Sequence, residues 1–371
     1  MIKVGVTGQS GFVGSHLFNF LGLQENIEQI YFVDSYFVDN QKLRDFVKSC
    51  DAIVHLAAMN RHNDPEELYK TNISLVQILI DAMEAEKATP HILFSSSIQE
   101  ERDNPYGKSK KEGRELFIQW AERNHANFTG FVIPNVFGPF GHPYYNSVIA
   151  TFSHQLTHNE SPKIDVDGQM KLIYVHELVE TIFDAIKKNE SNHEYKIPHT
   201  SETKVSDLLK QLENFKHSYL DNGIFPELKN DFDRNLFNTF RCYIDQESFF
   251  PYLLKQHTDD RGNFVETIKA SIGGQVSFST TKPGITRGNH FHKRKIERFS
   301  VIKGKAKIEM RKVGTNKILS FELNSDNPSF VDMPIWYTHN ITNIGDEDLY
   351  AIFWINEFYN PEDPDTFFEK V

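Results

Sequence analysis

Only two of the 371 residues are cysteine, Cys50 and Cys242. That excludes a disulfide framework and points to a reducing compartment, the cytoplasm. No apolar run reaches the roughly 18 residues that a membrane span needs, so no membrane insertion is expected. Basic charge is short: 40 Lys and Arg stand against 51 Asp and Glu, a formal net charge of -11. Non-specific nucleic-acid binding is therefore not expected. An anionic substrate such as a sugar nucleotide would need local basic groups or backbone donors. Repeats and low-complexity tracts are absent. The chain opens directly into strand-like Ile2-Lys3-Val4-Gly5-Val6, so no secretory signal is expected. What remains is the composition of a soluble globular protein, 39% hydrophobic and 25% charged. At this length two domains are expected rather than one core.

Through about residue 190, short apolar runs alternate with longer amphipathic stretches. Ile2–Val6, Ile30–Val33, Ala52–Leu56 and Ile92–Ser95 read as buried strands. Gly14–Leu23, Gln41–Ser49, Glu66–Glu84 and Lys108–Asn124 read as helices between them, with further helices at Asn146–Gln155 and Val175–Lys188. This alternation predicts a Rossmann-type, doubly wound parallel sheet of the α/β class. Ser201–Gln246 is polar and mostly helix-like, broken at Asn222-Gly223 and Pro226. From Asp259 the texture becomes β-rich. Gln275–Thr281, Arg298–Ile302, Lys305–Arg311 and Tyr350–Ile355 are set apart by Gly, Pro and Asn, which suits an all-β barrel. The predicted division is 1–248 and 249–371.

Two groups of residues carry chemistry. Thr7-Gly8-Gln9-Ser10-Gly11-Phe12-Val13-Gly14 follows a strand and opens a helix, the context in which glycines let a diphosphate approach a helix N-terminus. Tyr106 and Lys110 are spaced one helical turn apart, so they share a face. A lysine ammonium placed there would lower the tyrosine pKa and make the phenol a usable acid or base. Asp34, after Val33, would accept hydrogen bonds from the adenosine ribose and disfavour a 2′-phosphate, which points to NADH. In the other half, His290 and His292 would point to one face of a strand with Phe291 on the other. Glu297 and His339 would complete a set of three nitrogens and one oxygen for a divalent metal.

Taken with His55-Leu56-Ala57-Ala58 and Ser95-Ser96-Ser97, the first group resembles the extended short-chain dehydrogenase/reductases, especially their nucleotide-sugar members. The resemblance covers about residues 1–240. It implies cofactor contacts from Gly8, Ser10, Gly11, Phe12, Val13, Gly14, Asp34, Leu56, Ala57, Tyr106 and Lys110. The catalytic residues it implies are Ser97, with Ser96 second, Tyr106 and Lys110. Two features depart from that family. Only eight residues separate Ser97 from Tyr106, and the arginine expected before Pro134-Asn135 is missing.

The second group resembles the cupins: Gly284, His290, His292, Glu297 and Gly304 match the first motif, and Pro334 to Asn343 the second, with Trp336 in place of the usual glycine. Asp260-Arg261-Gly262-Asn263-Phe264-Val265-Glu266 and Arg287-Gly288-Asn289-His290 are similar to segments of deoxysugar-nucleotide 3,5-epimerases of the cupin fold. In those enzymes the histidine is a base, so His290 has two candidate roles, and metal ligation is favoured here. Both halves together resemble a bifunctional family that makes a UDP-linked precursor of N-acetyl-L-fucosamine for capsular polysaccharide.

The family implies C3 epimerisation of a UDP-4-keto-6-deoxy-hexosamine by the barrel and NADPH-dependent C4 reduction by the first domain. It also implies a homodimer and a metal, zinc first among the candidates. NADPH conflicts with the reading of Asp34, and the expected cofactor is the one the family implies, NADPH. The alternative is a reductase fused to a barrel that senses a ligand or acts as a metal-dependent dioxygenase.

Overall fold

The computed structural model describes residues 1–260 and 262–371. Arg261, part of the epimerase-like segment, lies outside the described residues. The chain divides into two compact units. One is Met1–Thr151 with Val166–Val205, and the other is Phe152–Asp165 with Ser206–Val371.

In the first unit six strands form a parallel sheet in the order Ile27–Ile30, Ile2–Thr7, Ala52–His55, His91–Ser97, Phe128–Ile133, Asn192–Lys196. Helices cover both faces, because strands apolar on both sides must be buried on both. Phe12–Leu21 and Val175–Lys188 pack through Leu17, Phe20, Leu178 and Ile182 onto one face, around Val4, Val6 and Val54. Asn40–Ser49, Pro65–Glu86 and Pro105–Asn124 cover the other through Phe46, Leu79, Phe117 and Trp120. Local chemistry sets where these helices begin. Asp64 caps the N–H groups of Glu66 and Glu67, and Asn104 caps Gly107; each is followed by a proline at the first helical position.

The predicted strand Ile30–Val33 is displaced. Pairing with Ile2–Gly5 is made by Ile27–Ile30. Phe32 instead donates its N–H to Gln9 Oε1 at 3.2 Å and drives its ring against Phe46 and Tyr36. Asp34 therefore does not close a strand; it opens a 3₁₀ turn, Asp34–Phe37.

The second unit is built on two five-stranded antiparallel sheets. One runs Tyr252–Leu253, Ser329–Met333, Glu297–Lys303, Leu349–Ile355, Gln275–Thr281. The other runs Ile318–Asn324, Lys305–Lys312, Tyr337–Asn343, Thr286–Phe291, Phe367–Phe368. Val301, Ile308, Met310, Phe321, Val331 and Ile341 fill the space between. This is the predicted β barrel.

The helical segment before it belongs to the same compact unit. Arg298, on the barrel, pairs with Asp332 through Nε at 2.8 Å and Nη2 at 2.9 Å, and Nη1 donates to the Gly223 carbonyl at 2.9 Å. Tyr219 completes the group by donating to Asp332 at 2.6 Å. A buried ion pair is tolerable only when its remaining hydrogen-bonding positions are filled, and the helical segment fills them. The change of texture near 248/249 thus lies just before the first barrel strand, Tyr252–Leu253, while the second compact unit also takes in Phe152–Asp165 and the chain from Ser206.

Candidate functional sites

Every residue expected to contact the nicotinamide cofactor, together with Ser97, lines one cavity of about 600 Å³ in the first unit. Thr7 ends its strand, Gly11 caps helix Phe12–Leu21 without a side-chain hydrogen bond, and the first-turn N–H groups of that helix are left for another acceptor. A Cβ on Gly14 would lie 2.1 Å from the carbonyl oxygen of Gly8, so only glycine lets the helix start this close to the strand end. The cradle therefore fits a dinucleotide diphosphate. Asp34 stands on the same cavity wall, as do Met59, Asn60, Thr71, Ile133 and Pro134. No short motif marks these last residues: Ile133 ends a strand, Met59, Asn60 and Pro134 lie in loops, and Thr71 lies in helix Pro65–Glu86. Pro134 and Val136 reach the cavity although the family's arginine is missing.

Helix Pro105–Asn124 carries Tyr106 in its first turn and Lys110 one turn on, as the spacing predicts. The short connection from Ser97 is taken up by a 3₁₀ turn, Ile98–Glu101. Gly107 makes this fit: a Cβ there would be 1.9 Å from the Gln99 carbonyl oxygen. The turn is pinned by Glu100, which accepts two hydrogen bonds from Arg114 at 3.0 and 2.7 Å. Ser96 is buried and spends its hydroxyl on Glu100, which leaves Ser97 the better placed of the two serines. Ser97 Oγ accepts from the Gln99 N–H at 3.2 Å and keeps its own hydrogen to donate.

One expectation is reversed. Burial pushes the Tyr106 phenol up to about 12, with Tyr145 adding to it. Lys110 does not pull it down, because its ammonium is turned to the Ser95 carbonyl, 2.8 Å away, and lies 5.8 Å from the Tyr106 ring centroid. Burial brings Lys110 itself down to about 7, with Glu100 opposing.

In the second unit one ligand atom from each of His290, His292, Glu297 and His339 lies within 4.8 Å of the others. His290 is paired with His339 across neighbouring strands, after a bulge between Gly288 and His290. The strand ends at Phe291, so His292 sits just past it rather than in it. Phe291 turns the other way, stacking on Trp336 and Phe367.

The hydrogen bonding of the rings fits a cation. His292 Nδ1 donates to the Asp365 carbonyl at 2.5 Å and His339 Nδ1 to the Tyr337 carbonyl at 3.1 Å. A carbonyl only accepts, so each Nδ1 carries a hydrogen, and in the neutral ring each Nε2 presents a lone pair. Those two Nε2 atoms lie 3.2 and 3.1 Å from the same oxygen of Glu297, and His292 Nε2 is buried without a hydrogen bond. Lone pairs facing a carboxylate repel unless a positive charge stands between them. With no cation between them, burial opposes ionisation of Glu297, and hydrogen bonds from protonated His292 and His339 hold its carboxyl well below the usual range. A cavity of about 260 Å³ adjoins the quartet, with Ser279, Arg287, Phe299 and Asn340 on its wall.

The two sites together define the class. Residues 4–197 match the NAD dependent epimerase/dehydratase family, and residues 257–367 match the polysaccharide biosynthesis C-terminal domain. The chain belongs to the NAD dependent epimerase/dehydratase family. Among particular relatives, the UDP-2-acetamido-2,6-beta-L-arabino-hexul-4-ose reductase of Pseudomonas aeruginosa is 34% identical over 368 residues, 99% of this chain and 98% of the relative. The capsular polysaccharide assembling protein CapF from Staphylococcus aureus has a crystal structure similar over 100% of both chains, with 36% identity and a TM-score of 0.63. The spore coat polysaccharide biosynthesis protein SpsL of Bacillus subtilis is 27% identical over 122 residues, 30% of this chain and 81% of that protein. Among the described residues no helix is long and apolar enough to cross a membrane.

Proposed function

We propose that this protein epimerises C3 of a UDP-4-keto-6-deoxy-hexosamine in its barrel, residues 249–371, and reduces the C4 ketone in its first domain, residues 1–248. The product is UDP-2-acetamido-2,6-dideoxy-L-talose, in UDP-N-acetyl-L-fucosamine and capsular polysaccharide biosynthesis. The full-length match to a hexul-4-ose reductase carries this reading. It takes the working form to be a cytoplasmic homodimer.

When bound, NADPH supplies the hydride for C4. Ser97 then donates a hydrogen bond to the C4 oxygen, and Tyr106 delivers the proton that the resulting alkoxide needs. A phenol kept protonated by burial suits that direction of reaction. Lys110, fastened to the Ser95 carbonyl, places an amine, its pKa lowered to about 7, on the wall of the same cavity. In the barrel, His290, His292, Glu297 and His339 would hold a divalent metal, zinc first among the candidates, which supplies Lewis acidity or a structural charge. The hydrogen on C3 is acidic only while C4 is a ketone. Epimerisation therefore precedes reduction.

The test is incubation with a UDP-4-keto-6-deoxy-N-acetylhexosamine in deuterated water, with and without NADPH. Deuterium should enter C3 without NADPH, and C4 should be reduced only with it. Lack of exchange by folded, metal-loaded protein would remove the epimerase and leave a reductase joined to a binding module.

A further inference from the structure

The segment that follows the last long barrel strand comes back to the metal quartet. Phe367–Phe368 pairs with His290 and Phe291. Just before it, Asp365 is 2% exposed and sits at φ 42, in the left-handed region that aspartate tolerates better than most residues. From there it engages four groups of one turn. Its carboxylate accepts from the N–H of Lys293 at 3.2 Å, Arg294 at 2.9 Å and Lys295 at 3.0 Å. Its carbonyl accepts from His292 Nδ1 at 2.5 Å. Lys295 Nζ adds a bond to the Pro364 carbonyl, and Arg294 pairs with Glu357 and Asp363.

Consecutive N–H groups converging on one point make a site for an anion, and here the protein's own carboxylate fills it. The consequence falls on His292. With three N–H groups of the turn fixed and Nδ1 held by a carbonyl, the ring has one tautomer and one direction for Nε2, toward Glu297.

We propose that Asp365 is a positioning residue for the divalent cation: its carboxylate locks the 293–295 turn and its carbonyl fixes the tautomer and aim of His292. The inference rests on reading the quartet as a metal site. It assigns a role to a residue 73 positions from the ligand it orients.

The test uses the full-length protein and compares wild type with Asp365→Ala, Asp365→Asn and Glu369→Ala. Glu369 anchors the same segment through Arg311, 2.8 Å away, and among the described residues its carboxylate has no ion pair with the 292–295 turn. Three quantities are measured: zinc affinity by chelator competition, the visible spectrum of the cobalt(II) form, and thermal unfolding of the metal-free form. Asp365→Ala should weaken zinc binding on the order of 10–100-fold and alter the cobalt spectrum. Asp365→Asn, which keeps one acceptor oxygen, should fall between. Glu369→Ala should lower unfolding temperature while leaving affinity and spectrum as in wild type.

Unchanged zinc affinity in Asp365→Ala overturns the proposal, as does a Glu369→Ala variant that loses affinity in the same proportion to stability. Should Asp365→Ala not fold, an Asp365→Asn protein identical to wild type in affinity and spectrum overturns it equally. A wild-type protein that takes up neither zinc nor cobalt removes the metal reading itself, a result distinct from tight binding that ignores Asp365.

Discussion

Lys110 donates from Nζ to the carbonyl oxygen of Ser95 at 2.8 Å, so its ammonium is fastened to the strand that ends at Ser97 and not to the phenol of Tyr106. The two residues share a helix face, yet they do different work. Tyr106 is kept protonated by burial, and Lys110 is the group that titrates near neutrality.

On the proposed mechanism, Tyr106→Phe removes the acid for the C4 alkoxide and nothing from the barrel. Reduction should fall by about 10²–10⁴-fold, while deuterium exchange at C3 stays as in wild type. NADPH oxidation with saturating keto sugar and mass spectrometry of the recovered sugar nucleotide read the two activities separately. Normal NADPH oxidation by the variant would sink the assignment.

The lowered pKa of Lys110 has a signed consequence for stability. Its folded value of about 7 lies below the ordinary lysine value of 10.5, so between these pH values the unfolded chain binds more protons than the folded one. The Lys110 contribution is least favourable below about pH 7 and recovers as pH rises toward 10.5. Lys110→Met should therefore stabilise the first unit most at pH 6, and the gain should shrink by pH 9.5. Hydrogen exchange of the sheet amides at the two pH values measures this. A gain independent of pH would show that the ammonium is not desolvated.

Asp34 lines the cofactor cavity and forms no ion pair among the described residues. A carboxylate near an adenosine 2′-phosphate repels it. Asp34→Asn should raise the ratio of catalytic efficiency with NADPH to that with NADH by about tenfold or more, an effect of roughly 1.4 kcal/mol. Steady-state kinetics with both cofactors decides. An unchanged ratio would mean that Asp34 does not read the ribose.

Trp336 occupies a left-handed conformation, φ 60, at the motif position where cupins usually carry glycine. Its backbone bonds are a donated N–H to the His292 carbonyl at 2.8 Å and an accepted one from Val313 at 2.9 Å. The conformation costs about 1–2 kcal/mol in a residue with a Cβ. The indole, stacked on Phe291 at 5.2 Å and buried, is worth more: truncating a core aromatic costs about 3–5 kcal/mol. Trp336→Gly should accordingly destabilise the barrel by about 2 kcal/mol, although it restores the usual residue. Chemical denaturation of the metal-free protein gives the sign, and a stabilised variant would refute the stacking argument.

Local pattern alone fixed much of this protein. The helix Val175–Lys188 and the strand Gln275–Thr281 follow from their apolar periods, with their ends as read. Gly8 to Gly14, the Tyr106–Lys110 spacing and the His290–His292 pair are likewise short-range signals, because steric and hydrogen-bonding preferences act over a few residues. Tertiary structure decided what depends on which surfaces meet. Ile27–Ile30 became the paired strand because it aligns with Ile2–Gly5, while Phe32 found a better place in the core. The direction of the Tyr106 shift came from burial and from the carbonyl that claims Lys110. The weld of Tyr219, Arg298 and Asp332, and the hold of Asp365 on His292, join positions far apart in the chain. Burial and charge pairing are properties of the folded neighbourhood, and one sequence window contains only one side of each contact.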